Sequence, residues 1–298
     1  MLVCDSLDVA SLGLTESLEI DYEPKITRED LLSRIGDYDA LVVRSRTKVD
    51  AEVISRASRL KIIGRPGTGL DNIDTRAANA RGIEVVNSPD SLVEAVAEHV
   101  VGLMLALARN IPAADASVKA GRWEKERFVG SELKGKTLGI AGLGRIGRRV
   151  AEISRALGMS LLGYDVIEVP QETLASLGCR IVDLDTLFAS SDFVTLHVPL
   201  TSETRHMVDQ RRLSLMRKNA IIINTSRGEV IDEHALAQAL MDGTIGGAAL
   251  DVFETEPPGP EIVGSPNVVT TPHIGGQTED AQRNAVTIVG AKINQFFS

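Results

Sequence analysis

A chain of 298 residues, 43% hydrophobic and 24% charged, has material for about two ordinary globular cores, and this composition excludes a disordered or low-complexity protein. The formal charge of −9, with no lysine or arginine run, excludes a basic groove, so no nucleic-acid partner is expected. The two cysteines, Cys4 and Cys179, stand in no ligand spacing; they exclude a disulfide framework and a cysteine metal site, and with no metal expected a reducing, cytoplasmic setting is.

Asp5 interrupts the N-terminus too early for a secretory apolar region. Aromatic residues make up only 3% of the chain, so its cores are aliphatic, as in parallel sheets buried on both faces. Strands are predicted at residues 2–4, 18–20, 40–43, 60–63 and 83–86, with helices at 29–35 and 51–57 between them. Such alternation makes a parallel sheet covered by helices. Ser91 and Glu94 have the spacing of a capping box and open a helix over 93–109. That helix is apolar nearly all round and is expected to leave the first domain and pack beneath the second. Its apolar run at 100–108 falls far short of the roughly 20 residues a bilayer requires, so no membrane partner is expected. A second series follows, with strands at 138–141, 161–164, 193–198, 220–224, 247–250 and 268–270 and helices at 145–157 and 233–241. Prolines at 257, 258 and 260 mark a rigid turn, and a last helix begins near 278 and crosses back onto the first domain.

Gly142-Leu143-Gly144-Arg145-Ile146-Gly147 runs out of a strand and into a helix. The first glycine allows a tight turn, the second lets amides approach a pyrophosphate, and the third lets the helix close on the strand. Asp165 follows Gly147 by 18 residues at the end of the next strand, with no arginine after it. A carboxylate there accepts ribose hydroxyls and repels a 2′-phosphate, which selects NAD over NADP. A turn-forming aspartate at a strand end is the plainer alternative. The expected fold is α/β, two Rossmann-like or flavodoxin-like domains with parallel sheets. Residues 1–92 with 279–298 would bind substrate, and 93–278 would form the NAD-binding Rossmann domain.

Three polar residues lie near strand ends in the second half. Arg227 follows Asn224-Thr225-Ser226, Glu256 follows the 247–250 strand and His273 follows Thr271-Pro272. Taken singly, each has an ordinary reading: a helix-starting arginine, a solvated glutamate, a satisfied histidine. Together with the glycine loop, the fragments Asn-Thr-Ser-Arg-Gly, Ala-Leu-Asp-Val-Phe-Glu-Thr-Glu-Pro and Thr-Pro-His-Ile-Gly-Gly, in this order, resemble the D-2-hydroxyacid dehydrogenase family. Residues 43–47 and 67–74 extend the likeness over nearly the whole chain.

The resemblance implies that Arg227 holds the substrate carboxylate and polarises the 2-oxo group, a task suited to a planar fork. It implies that His273 carries the proton and that Glu256 orients the imidazole and favours its protonated form. In related formate dehydrogenases a glutamine takes the glutamate's place because no proton moves, so Glu256 points to a hydroxy acid. Asp251 would contact the nicotinamide amide, and His197, Pro199, Thr225, Ser226 and Gly275 would line the cofactor. Arg44, Ser45, Arg46, Gly67 and Thr68 would bind substrate, although Pro66, where relatives carry a small residue, has no amide to donate. If Arg44 and Arg46 continue the 40–43 strand, they share a face and would meet a phosphate; exposed strand-end arginines are the ordinary reading. The expected reaction is 3-phosphoglycerate to 3-phosphohydroxypyruvate, a step of serine biosynthesis. A glyoxylate or hydroxypyruvate reductase is the second reading, and an NADH-sensing corepressor-like binding protein the alternative of another class. A homodimer through the long helix and the segment near Trp123 is implied. Because the sequence stops soon after its last helix, no regulatory extension and no serine inhibition through one are expected.

Overall fold

The computed structural model describes residues 1–15 and 18–298. Two units are present, Met1–Val93 with Gly276–Ser298, and Glu94–Gly275.

In the first unit, strands and helices alternate as β1 (Leu2–Val3), β2 (Asp21–Tyr22), α1 (Arg28–Arg34), β3 (Ala40–Val42), α2 (Ala51–Arg56), β4 (Ile62–Arg65), α3 (Thr75–Ala80) and β5 (Glu84–Asn87). All pairings are parallel, in the order β2-β1-β3-β4-β5. The helices begin where a short oxygen-bearing side chain satisfies an orphan amide: Thr27, Asp50 and Asp74 accept from the amides of Asp30, Val53 and Ala77. One face of the sheet packs Leu41, Val43 and Ile63 against Leu31, Val53 and Ile54. The other packs Val42 and Ile62 against Val286, Val289 and Ile293 of the C-terminal helix Glu279–Phe297. At Gly64 a Cβ would lie 2.6 Å from Val289, so this helix needs a bare strand beneath it. Two strand expectations are corrected. The second strand pairs at Asp21–Tyr22, after the apolar stretch expected at 18–20, because Leu18 is packed into the core instead of lying in the ladder. Strand β3 stops at Val42, so Arg44 and Arg46 lie in a loop and strand alternation does not set their directions.

The second unit opens with α4 (Val93–Ala108) and α5 (Ile111–Lys119). It continues as β6 (Thr137–Ala141), α6 (Arg145–Ala156), β7 (Ser160–Tyr164), α7 (Gln171–Leu177), β8 (Cys179–Ile181), α8 (Leu184–Ser190) and β9 (Phe193–Leu196). It closes with α9 (Gln210–Leu215), β10 (Ile221–Asn224), α10 (Glu233–Met241), β11 (Gly247–Leu250), α11 (Pro260–Val263) and β12 (Val268–Thr270). The seven parallel strands are ordered β12-β11-β10-β9-β6-β7-β8. The chain reverses its direction of travel across the sheet between β6 and β9, the switch point where such sheets place ligands. Helix α4 buries Val100, Leu103 and Met104 against Leu138, Ile140 and Phe193. The expected capping box is not formed: Ser91 donates to Ser88, and Glu94 is taken by Arg149 at 2.6 and 2.8 Å. Burying several large aliphatic side chains, at roughly 1.5–3 kcal/mol each, outweighs the roughly 1 kcal/mol of a cap. Among the described residues, no helix is long and apolar enough to cross a membrane.

Candidate active site

The loop from β6 into α6 stands at the switch point. Gly142 has φ +97°, and a Cβ there would lie 2.4 Å from the His197 carbonyl oxygen. At Gly147 a Cβ would meet the Gly142 oxygen at 2.0 Å, so the first turn of α6 closes tightly on the loop. Gly144, in contrast, has open space where a Cβ would be. No side chain caps α6, which begins at Arg145 after Gly144, and an uncapped helix N-terminus of this kind suits an anion. Beyond β7, Asp165 accepts the amides of Leu143 at 2.7 Å and Ile167 at 3.0 Å, which ties it to the glycine loop. After β9, the His197 amide bonds the Ala141 oxygen at 2.7 Å, and its ring meets the Thr195 hydroxyl at 3.0 Å. Burial pushes the His197 imidazole down to about 4, so the ring is neutral at ordinary pH. The Pro199 carbonyl accepts the Thr204 hydroxyl at 2.6 Å. The Thr225 hydroxyl is buried with no hydrogen-bond partner among the described residues, an unsatisfied polar group beside β10. A bare-backbone turn, an uncapped helix N-terminus, a strand-end carboxylate and an orphaned hydroxyl fit a dinucleotide.

Strand β10 ends in a turn built by Asn224, which is 1% exposed. Its side-chain oxygen accepts the amide and hydroxyl of Ser226, and its amide group donates to the Arg227 carbonyl at 2.8 Å. The Arg227 guanidinium donates to the Ser226 carbonyl at 2.6 Å. Gly228 lies directly on the segment after β11, where a Cβ would come within 1.8 Å of the Phe253 carbonyl carbon. That segment is tied again by Glu254, whose amide donates to Glu233 and whose carboxylate accepts the Glu233 amide and meets His206 at 3.0 Å. The loops bearing Arg227 and Glu256 are thus one packed assembly.

His273 Nδ1 lies 3.0 and 3.1 Å from the two carboxylate oxygens of Glu256. Nδ1–H donates to Glu256, which leaves Nε2 as the nitrogen that exchanges a proton with a substrate. Both side chains are about half exposed. The His273 backbone has φ +54°, rare for a residue with a Cβ. Asp251 holds this loop: its carboxylate accepts the Thr271 hydroxyl at 2.6 Å and the amides of Ile274 and Gly275 at 2.8 Å each. Burial alone pushes this carboxyl up, yet bonds from His99, Thr271 and the two amides together hold it below its ordinary value. The expected contact of Asp251 with a nicotinamide amide thus falls on a carboxylate whose oxygens are already engaged, on a residue only 1% exposed.

In the first unit, Asp5 organises the 44–47 loop. Its buried carboxylate accepts the amides of Arg44 and Thr47 and the Thr47 hydroxyl, and pairs with Arg46 Nε at 2.9 Å. Arg46 also donates to the carbonyls of Cys4 and Ile26. Its three nitrogens therefore serve the fold, contrary to the expectation of an arginine aimed at a phosphate. Ser45 is exposed and accepts from Arg65 at 3.1 Å, and Arg44 donates to the Ser6 carbonyl at 3.2 Å. The Gly67 amide donates to Ser88 at 2.7 Å, and the Thr68 carbonyl accepts from Asn87. With Pro66 lacking an amide and that of Gly67 committed, fewer backbone donors are left for the substrate contacts expected at Gly67 and Thr68.

Sequence reasoning missed Asp5, Asn224, Gly228, Glu254 and His99. Spacing along the chain did not mark Asp5, Gly228, Glu254 or His99, because each meets partners distant in sequence, whereas Asn224 acts locally on Ser226 and Arg227 within the Asn-Thr-Ser-Arg-Gly fragment. A histidine at position 99, in a helix whose other charged residues are Glu94 and Glu98, was the available signal.

A parallel dinucleotide fold with a histidine–glutamate pair beyond its last strands defines a nicotinamide-dependent oxidoreductase class. The NAD-binding domain of the D-isomer specific 2-hydroxyacid dehydrogenases matches residues 101–275, and the chain belongs to that family. It is 50% identical over 298 residues to the D-3-phosphoglycerate dehydrogenase of Methanocaldococcus jannaschii, covering 99% of this chain and 57% of that protein. It is 47% identical over 288 residues to the hydroxypyruvate reductase of Thermotoga maritima, covering 94% and 92% respectively. Among solved structures, a glyoxylate reductase from Paecilomyes thermophila superposes with a TM-score of 0.91 at 31% identity, covering 99% of this chain and 94% of that one. The chain spans about half the length of the curated phosphoglycerate dehydrogenases it matches.

Proposed function

We propose that this protein interconverts a D-2-hydroxy acid and its 2-oxo acid with NAD, and that its substrate pair is 3-phosphoglycerate and 3-phosphohydroxypyruvate. The observation that carries the reading is the His273 ring held by both oxygens of Glu256. Gly142, Gly144, Gly147, Asp165 and Thr225 would hold the cofactor, which when bound gives or takes a hydride at the substrate's second carbon. Arg227 binds the carboxylate and draws electron density from the 2-oxo group. In reduction, His273 delivers the Nε2 proton to the carbonyl oxygen, and Glu256 orients the ring through Nδ1. In oxidation the same nitrogen takes the hydroxyl proton.

The phosphorylated substrate is supported by the likeness to the M. jannaschii protein and by Arg44 and Ser45 at the head of the Asp5-braced loop. The commitment of Arg46 favours a second reading, an unphosphorylated hydroxypyruvate or glyoxylate as substrate. A homodimer is supported by apolar side chains left exposed on and after α5, namely Ile111, Val118, Trp123 and Val129. The test is a kcat/KM panel of 2-oxo acids with NADH and NADPH. A charge-assisted phosphate contact predicts an advantage of about ten- to a hundredfold for 3-phosphohydroxypyruvate, reduced in Arg44→Ala. Equal values pass the assignment to the second reading. Slow, unselective turnover with tight NADH binding would instead mark a cofactor-sensing protein.

A further inference from the structure

We infer that His99 is a positioning residue for proton transfer, acting through Thr271 and Asp251 on the loop that carries His273. The inference rests on the proposed dehydrogenase reaction and adds to it a residue on α4, far in sequence from the other participants. His99 Nε2 lies 3.1 Å from the Thr271 hydroxyl and 3.4 Å from Asp251 Oδ1. Thr271 donates its one proton to Asp251, so it receives from His99, and Nε2 carries the hydrogen. The chain therefore has one direction, imidazole to hydroxyl to carboxylate.

The carboxylate end of that chain is where the loop is held. Asp251 accepts the amides of Ile274 and Gly275, and its own carbonyl accepts the His273 amide at 2.9 Å. Gly275 fits so closely that a Cβ would lie 3.0 Å from Asp251 Oδ2 and 3.7 Å from His99 Cδ2. Three consecutive amides, 273 to 275, are thus fixed by one residue. They hold His273 in a backbone conformation that L residues seldom adopt. Such a conformation persists only when its surroundings over-determine it. Removing His99 leaves the Thr271 hydroxyl without its donor and loosens its hold on Asp251, and the loop is the part able to give way. His99 has 20% of its side chain exposed and meets the network with its ring edge, so its loss shortens the chain of donors without opening a large cavity.

The test compares His99→Leu, Thr271→Val and His99→Gln, the last carrying an N–H near the place of Nε2. Hydrogen exchange of the backbone amides of 273–276 should speed up in His99→Leu and Thr271→Val and stay near wild type in His99→Gln. The kcat for 2-oxo acid reduction should fall about tenfold in the first two, with KM and NADH affinity within about twofold, and recover in His99→Gln. In a His273→Ala background, His99→Leu should cost nothing further, because its effect passes through that ring. Unchanged exchange at 273–276, an unchanged kcat, or a kcat loss that adds to that of His273→Ala would each overturn the inference. If the wild type reduced no 2-oxo acid, the proposed reaction would fail, and exchange without protection by His99 would remove the positioning role as well.

Discussion

Gly228→Ala places one methyl group where the arginine loop and the glutamate loop meet. The new carbon would stand 1.8 Å from the Phe253 carbonyl carbon, 2.0 Å from its oxygen and 2.4 Å from the Glu254 nitrogen. Ordinary carbon contacts are about 3.5–4.0 Å, so the two backbones must part by roughly 1.5–2 Å. No flexible side chain absorbs this, since all three atoms are backbone. Arg227 rides on one side of the contact and Glu256, two residues past Glu254, on the other. A misplacement of about 1 Å costs on the order of a hundredfold, so kcat/KM for 2-oxo acid reduction should fall at least that far. Stability should fall by about 1–3 kcal/mol, as for an overpacked core site. Steady-state kinetics, calorimetric unfolding and an NADH titration together make the assay. NADH affinity should fall far less than kcat/KM, because of the proposed cofactor residues only Thr225 lies on the displaced loop while the glycine loop leaves β6. A folded Gly228→Ala protein within fivefold of wild-type kcat/KM would refute the claim that this contact sets the relative position of the two loops.

Asp165→Ser removes the acceptor of the Leu143 and Ile167 amides and, in the proposed reading, the acceptor of the ribose. NADH affinity should fall about tenfold, some 1.4 kcal/mol, while the NADPH-to-NADH ratio of kcat/KM rises; an unchanged ratio would mean another group reads the ribose. His197 is neutral in the fold down to about pH 4, whereas its unfolded counterpart takes a proton near 6.5. Its contribution to stability is therefore full above pH 6.5 and is lost as pH falls from 6.5 toward 4, by at most roughly 3 kcal/mol. Urea unfolding across that window should show the slope in wild type and a shallower one in His197→Leu. Equal slopes would assign the acid sensitivity to other groups.

The glycine loop was legible because its chemistry is local: three bare positions at fixed spacing between a strand and a helix. Helix α10 was legible from 233 to 241 because Asp232 caps it and its apolar residues repeat at helical spacing. Strand β8 was missed, since its sequence Cys179-Arg180-Ile181 is short, lies at a sheet edge and buries one residue of three. Ser91 and Glu94 had the spacing of a cap and found stronger partners across space, Ser88 and Arg149. Arg44 and Arg46 looked like neighbours on a strand until a buried carboxylate at position 5 bent the chain into a loop. Arg227, Glu256 and His273 could be named from fragments, whereas what aims them could not. The Gly228 contact and the Asp251 amide cluster join residues whose nearness is a property of the sheet.

In the proposed reaction His273 moves the proton that accompanies hydride transfer. The most direct measurement is NADH consumption by wild type and His273→Ala with 3-phosphohydroxypyruvate, hydroxypyruvate and glyoxylate, alongside NADH affinity for both proteins. Loss of a general acid should lower kcat by 10²–10⁴ on every substrate the wild type reduces and leave NADH binding within about twofold. A His273→Ala protein that binds NADH normally and turns over at near wild-type rate would contradict the account.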